Sequence, residues 1–231
     1  MPHTREPERR VKDRYQARVA VLLAVLLYIA LPSRLTFGPI WIVPVLVALF
    51  LVPLVAMTPT STRDLHVMRA LTIGLIASLN FFNVASVVLL INDLINVHAR
   101  GHLNLTAQQL LSSGSAIWLT NVIVYALWFW ELDGDGPFDR ERFPSACETP
   151  SIDFLFPQMS IDPNRITGVN PGTWKPMFLD YVYLSFTNAL AISPTDVMPL
   201  TRTAKMVMLA ESLISFVTVA LILARSVNIL S

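Results

Sequence analysis

Two groups of residues near the C-terminal end of this chain have the types and spacing to do chemistry. Glu211, Ser215, Thr218, Ile222 and Arg225 stand at i, i+4, i+7, i+11 and i+14, which places them on one face of a helix. Between Met206 and Ala224 the only charge is Glu211. A carboxyl inside such an apolar run is by default a functional candidate, and with Ser215 and Thr218 it can line a conduit. The opposing reading is a Glu211 that reaches the interface six residues past Lys205, with hydroxyls bonded to their own backbone. The second group surrounds the turn Ile192-Ser-Pro-Thr-Asp196, which follows the apolar segment Tyr181–Ala191. Thr187 and Asn188 lie on that segment, and Ser193, Thr195 and Asp196 in the turn. Hydroxyls and free carbonyls there can replace part of an ion's hydration shell, and Asp196 repeated around an oligomer makes a ring attractive to cations. Against this stands a structural plug, with Asp196 capping a helix or pairing with Arg202 or Lys205.

The elements that must hold these residues are membrane elements. A composition of 54% hydrophobic and 14% charged residues, with mean hydropathy +0.56, is too apolar for a soluble domain of this size. Ala70–Asn92 and Leu103–Trp130 contain no Asp, Glu, Lys or Arg, and each exceeds the roughly 18 apolar residues that mark a spanning helix. Val19–Met57 carries only Arg34, inside a Pro32–Pro39 break that reads as the turn of a helical hairpin. The expected fold is an all-α integral membrane protein with about five transmembrane helices. One re-entrant half-helix and loop precede the last helix, because an apolar segment of about 14 residues reaches only about 21 Å against a hydrocarbon core of about 30 Å. Residues 1–130 then form a basic arm and four-span bundle, 131–176 an acidic polar loop with room for a partner protein, and 177–231 the re-entrant hairpin and last span. Asn80, Asn83 and Ser86 lie loosely along one face of the third span, and Asn121, Tyr125 and Trp128 along one face of the fourth. Such amides in a bilayer serve to hold helices together. The tryptophans read as interfacial anchors.

Charge orients the chain and narrows its partners. Residues 1–18 hold six Lys/Arg and run directly into a membrane segment, which reads as a topology signal and not as a nucleic-acid site. No small-residue cleavage site follows, so the first segment is expected to be an uncleaved anchor. With the N-terminus inside and five spans, 14 Lys/Arg fall on the cytoplasmic side and 3 outside. The expected location is therefore the inner membrane, N-terminus in the cytoplasm, with the lipid bilayer as the principal partner. The single Cys147 excludes an internal disulfide and a Cys-rich metal site. Asp133-Gly-Asp135-Gly136 begins like a calcium loop but continues with Pro137 and Phe138, where the loop needs a ligand and a glycine. His98 and His102 beside Asp93 read as a solvated helix end. No nucleophile elbow, phosphate loop or dinucleotide fingerprint is present, so neither a cofactor nor an enzyme activity is expected.

Two resemblances follow from these residues. The layout of 177–231 resembles that of potassium channels: Thr187, Asn188 and Ala189 stand in the pore helix, Ile192 at the filter valine, Asp196 at the aspartate and Pro199 at the later proline. Ser193, Pro194 and Thr195 replace the Gly-Tyr-Gly of that filter. Proline holds φ near −65° and Ser or Thr is strained at positive φ, so a potassium-selective filter cannot be built here. What the resemblance implies is a pore loop, assembled as a tetramer if it forms a pore, without potassium selectivity. The blocks Phe129-Trp-Glu-Leu-Asp133, Asp153-Phe-Leu-Phe-Pro-Gln-Met159 and Asp180–Leu230 resemble a bacterial family of multi-pass membrane proteins of unassigned activity. The sequence thus leaves two readings, an ion-permeation protein and a non-conducting scaffold with a degenerate pore loop.

Overall fold

The computed structural model describes residues 6–56, 62–95, 107–137, 152–160, 174–190 and 196–230. Six helices carry the fold: α1 (Glu6–Ile29), α2 (Ile42–Ala56), α3 (Thr62–Ile95), α4 (Ala107–Leu132), α5 (Phe178–Leu190) and α6 (Arg202–Leu230). Three contain stretches long and apolar enough to cross a membrane, Arg63–Leu94, Gln108–Leu132 and Arg202–Ala224. The chain is thus mostly helical and membrane-associated. The apolar parts of α1 and α2, Tyr15–Ile29 and Ile42–Ala56, are shorter.

Helix α4 is the central column. Asn121 through Leu127 are all buried, the condition of a helix surrounded by others. Helices α1, α3, α5 and α6 all pack on it, while α2 lies against α3. The α1–α2 connection is held by polar contacts: the Phe37 amide donates to the Tyr28 hydroxyl at 3.1 Å, and Thr36 donates to the Ser33 carbonyl. Tyr28 and Phe37 then pack on Phe82 of α3, fastening the hairpin to the bundle. Pro44 sits in the first turn of α2, where its missing N–H costs no helical bond, whereas Pro53 lies inside the helix and removes one.

The helix directions follow from pairs of contacts. On α4 and α6, Asn121 meets Ser215 while Gly114 meets Ile222, so the two helices run antiparallel. On α5, Phe178 packs on Trp130 and Phe186 on Trp118, so α5 also runs antiparallel to α4, starting from the C-terminal end of α4. The tryptophans divide accordingly. Trp41 is exposed, but Trp130 is buried in this packing and does not anchor at an interface.

Past Leu132 the chain makes a short 3-10 turn, Asp133–Asp135, with Gly134 at φ 58° and Gly136 at φ 93°, conformations that favour glycine. Part of the acidic region returns onto the bundle. Strand β1 (Phe154–Leu155) pairs antiparallel with β2 (Met198–Pro199), and Phe154 and Phe156 are buried against Phe129 and Tyr181. Aromatic packing thus closes one end of the α4–α5–α6 unit.

Gly114 sets the approach of α6 to α4. A Cβ there would lie 2.2 Å from Cδ1 and 2.6 Å from Cγ1 of the buried Ile222. Gly114→Ala is expected to cost about 1–3 kcal/mol through overpacking, measurable by thermal unfolding in detergent, and Ile222→Ala in the same chain to recover most of that loss. A neutral single variant would contradict this close packing.

Candidate functional site

The site forms where α5 lies between α4 and α6. Tyr181, Ser185 and Asn188 stand at i, i+4 and i+7 on α5, and so present one polar stripe. Facing them from α6 is Glu211, fully buried. Asn188 Nδ2 donates to Glu211 Oε2 at 2.6 Å and to the Met208 carbonyl at 2.9 Å. The Ser185 hydroxyl contacts Glu211 Oε1 and also reaches the Val122 carbonyl of α4 at 2.7 Å. Ser212 donates to the Asn188 carbonyl at 3.3 Å. Tyr125 of α4 completes the surroundings, its phenol facing Glu211 and Asn80. One carboxyl, fully buried, therefore joins three helices.

Further along α6 the polar contacts continue. Asn121 of α4 donates to Ser215 Oγ at 2.9 Å, and Asn83 of α3 donates to Asn121 Oδ1 at 3.1 Å. All three side chains are buried, and together they tie α3, α4 and α6 by amide and hydroxyl bonds. Thr218 is equally buried but donates to its own helix at the Ile214 carbonyl, 2.7 Å away. Thr187 behaves likewise on α5, bonding the Tyr183 and Leu184 carbonyls.

A second polar cluster lies at the closed end. Asp133 Oδ1 accepts the amides of Asp153 and Phe154 at 2.9 and 3.3 Å, and its Oδ2 accepts the Tyr181 hydroxyl at 2.5 Å. Asp153 accepts the Leu200 amide on its carbonyl and the Thr201 hydroxyl, at 2.5 Å, on its side chain. Thr201 in turn caps α6 by accepting the Ala204 amide. Asp133, first in a stretch that starts like a calcium loop, works instead as an acceptor for neighbouring chain segments.

The sequence candidates are therefore distributed unevenly. Asn188 and Glu211 come together directly, and Ser215 lies one turn beyond Glu211. Glu211, Ser215 and Thr218 are all buried within one chain, Ser215 against Asn121 of α4. The outward face of α6 is apolar instead, with Met206, Leu209, Leu213, Phe216 and Leu223 exposed. Asp196 is exposed beside β2. Ser193 and Thr195 lie outside the described residues, as do His98, His102 and Cys147. Among the described residues, no group of three His, Cys, Asp or Glu side chains is placed to hold a metal. Sequence reasoning overlooked Ser185 as a partner of Glu211 and Asp133 as a tether. The 4-then-3 spacing of Tyr181, Ser185 and Asn188 was the available signal for the first. Nothing local signalled the second.

These features define the class as a helical membrane protein in which a short polar-striped helix, α5, lies against two long helices, α4 and α6. Compared with known families, curated proteins and solved structures, the chain finds no significant match.

The amide chain gives a direct test. A double-mutant cycle on Asn121→Leu and Ser215→Ala is expected to show a coupling of about 0.6–1.7 kcal/mol in detergent unfolding, the range for polar contacts between membrane helices. Purely additive losses would show that this bond does not join α4 to α6.

Proposed function

We propose that the chain is a pore-loop type membrane protein of the bacterial inner membrane, acting in ion permeation without potassium selectivity. The observation that carries this reading is where residues 178–190 and 196–199 lie. Helix α5 starts beside Trp130 at the C-terminal end of α4 and extends about 20 Å along α4 and α6. The chain then reappears at Met198–Pro199, paired with a strand whose amides bond Asp133 at that same end. A helix that enters and a chain that returns to its starting side make a re-entrant unit, which is tolerated at membrane depth where protein surrounds it. In this reading α1, α2, α3, α4 and α6 are the five spans, the N-terminus is cytoplasmic, and copies assemble as a tetramer around the return loops. Thr187, Asn188, Ser193, Thr195 and Asp196 then belong to the entrance. The conduit candidates Glu211, Ser215 and Thr218 are buried within the single chain.

One observation favours a second reading, a non-conducting scaffold. Glu211, Ser215 and Thr218 of α6 bond within the chain, and the exposed face along the middle of the helix is apolar. In that case residues 131–176 carry the partner surface. Purified protein in planar bilayers discriminates between the two. Cation current that falls with Asp196→Asn is the expected result, and a silent membrane under all voltages would leave the scaffold. Orientation is tested separately: Cys147 is expected to resist an impermeant thiol reagent in intact cells and to react after permeabilisation. Labelling of intact cells would reverse the topology.

A further inference from the structure

The contacts at Glu211 contain a problem of proton counting. Ser185 Oγ carries one proton, yet it touches two oxygens, the Val122 carbonyl at 2.7 Å and Glu211 Oε1. The carbonyl can only accept, and so can an ionised carboxylate. A single hydroxyl proton shared between two pure acceptors bonds neither fully, and the two acceptor oxygens it leaves under-served repel. The conflict disappears if the carboxyl supplies a proton itself. Oε1–H then donates to Ser185 Oγ, Ser185 donates to Val122, and Oε2 accepts from Asn188 Nδ2 at 2.6 Å. The second Asn188 proton goes to the Met208 carbonyl at 2.9 Å. Every proton then has one acceptor, and both carboxyl oxygens are satisfied.

The surroundings agree with an uncharged acid. From α5 the facing groups are Ser185 and Asn188, both neutral; from α4 the facing titratable group is Tyr125, ordinarily neutral. From α3, Asn80 approaches Tyr125 and Asn83 bonds Asn121. On α6 itself the neighbouring cation Lys205 is exposed, nearly two turns away. Ser185 and Glu211 are both fully buried. A buried charge without a paired counter-charge is the least favourable state of such a group.

We propose that Glu211 is a proton-binding site: its carboxyl holds a proton donated to Ser185, and that proton latches α5 to α6. The latch works whether or not the chain conducts. Removing the proton leaves the one Ser185 hydroxyl proton to serve both the Val122 carbonyl and the carboxylate, so α5 loses a full hydrogen bond to α4 or to α6. The site is thus a proton-operated fastening on the short helix, with the proton as its ligand.

The neutral acid has a mimic that the anion lacks. In Glu211→Gln the amide donates to Ser185 and accepts from Asn188, as the protonated acid does, so its melting temperature in detergent is expected to stay close to that of the parent. Glu211→Ala is expected to melt well below both. Infrared difference spectra between the parent and Glu211→Gln at neutral pH should assign to Glu211 the carbonyl stretch of a protonated carboxylic acid. Assignment of an ionised carboxylate pair instead would overturn the proposal, as would a Gln variant as unstable as the Ala variant. If the Gln variant fails to accumulate, the parent protein supplies the test. Dicyclohexylcarbodiimide adds to protonated carboxyls in apolar surroundings, so mass spectrometry should locate the adduct on Glu211. An unmodified Glu211, or an adduct suppressed by sodium at constant pH, would show that the carboxyl is ionised or holds a metal cation.

Discussion

A carboxyl at membrane depth has no water to bond, so whatever satisfies it must be brought by the protein and held there. Glu211 meets that requirement by drawing Ser185 and Asn188 of α5 against α6 and, through Ser185, against the Val122 carbonyl of α4. The rest of the C-terminal unit depends on this junction. Helix α5 has 13 residues, too few to bury a large apolar surface or to span the bilayer by itself. Its place between two long helices is decided by where its polar stripe can find partners, since apolar faces in lipid gain little from one another.

The closed end of the unit follows the same constraint by other means. There Asp133 gathers the amides of Asp153 and Phe154 and the hydroxyl of Tyr181, while Asp153 gathers Thr201 and the Leu200 amide. These bonds bring the acidic region, the start of α5 and the start of α6 to one point. The two side chains therefore hold the start of α5, β2 and the start of α6 at the same end of α4. Phe154, Phe156 and Tyr181 cover the point with aromatic surface.

Seen from outside, the middle of α6 presents apolar side chains. Its hydroxyls and carboxyl turn inward, and its exposed face is built from Met206, Leu209, Leu213, Phe216 and Leu223. Any assembly of copies through this face brings apolar surfaces together. The polar interior then acts as the internal framework of each copy, with Asn83, Asn121 and Ser215 extending it from α6 to α3.

The sequence by itself determined the class of protein and the places where polarity interrupts it. Charge-free runs of 23 and 28 residues leave little choice but helices at membrane depth, and the shortness of Tyr181–Ala191 marked α5 as a different kind of element. The helical register of Glu211, Ser215 and Thr218 on one face was also legible, because a helix converts spacing into direction. What that face meets was not legible. Register says that three residues point the same way, but only packing decides whether that way is toward an axis, the lipid or a neighbouring helix. The bonds from Glu211 to Ser185, from Asn121 to Ser215 and from Asp133 to Tyr181 join residues 26, 94 and 48 positions apart. No local pattern encodes such pairings. They arise when α4 becomes the column on which α5 and α6 lie antiparallel, and their buried polar groups must be satisfied by whichever partners that arrangement brings within reach.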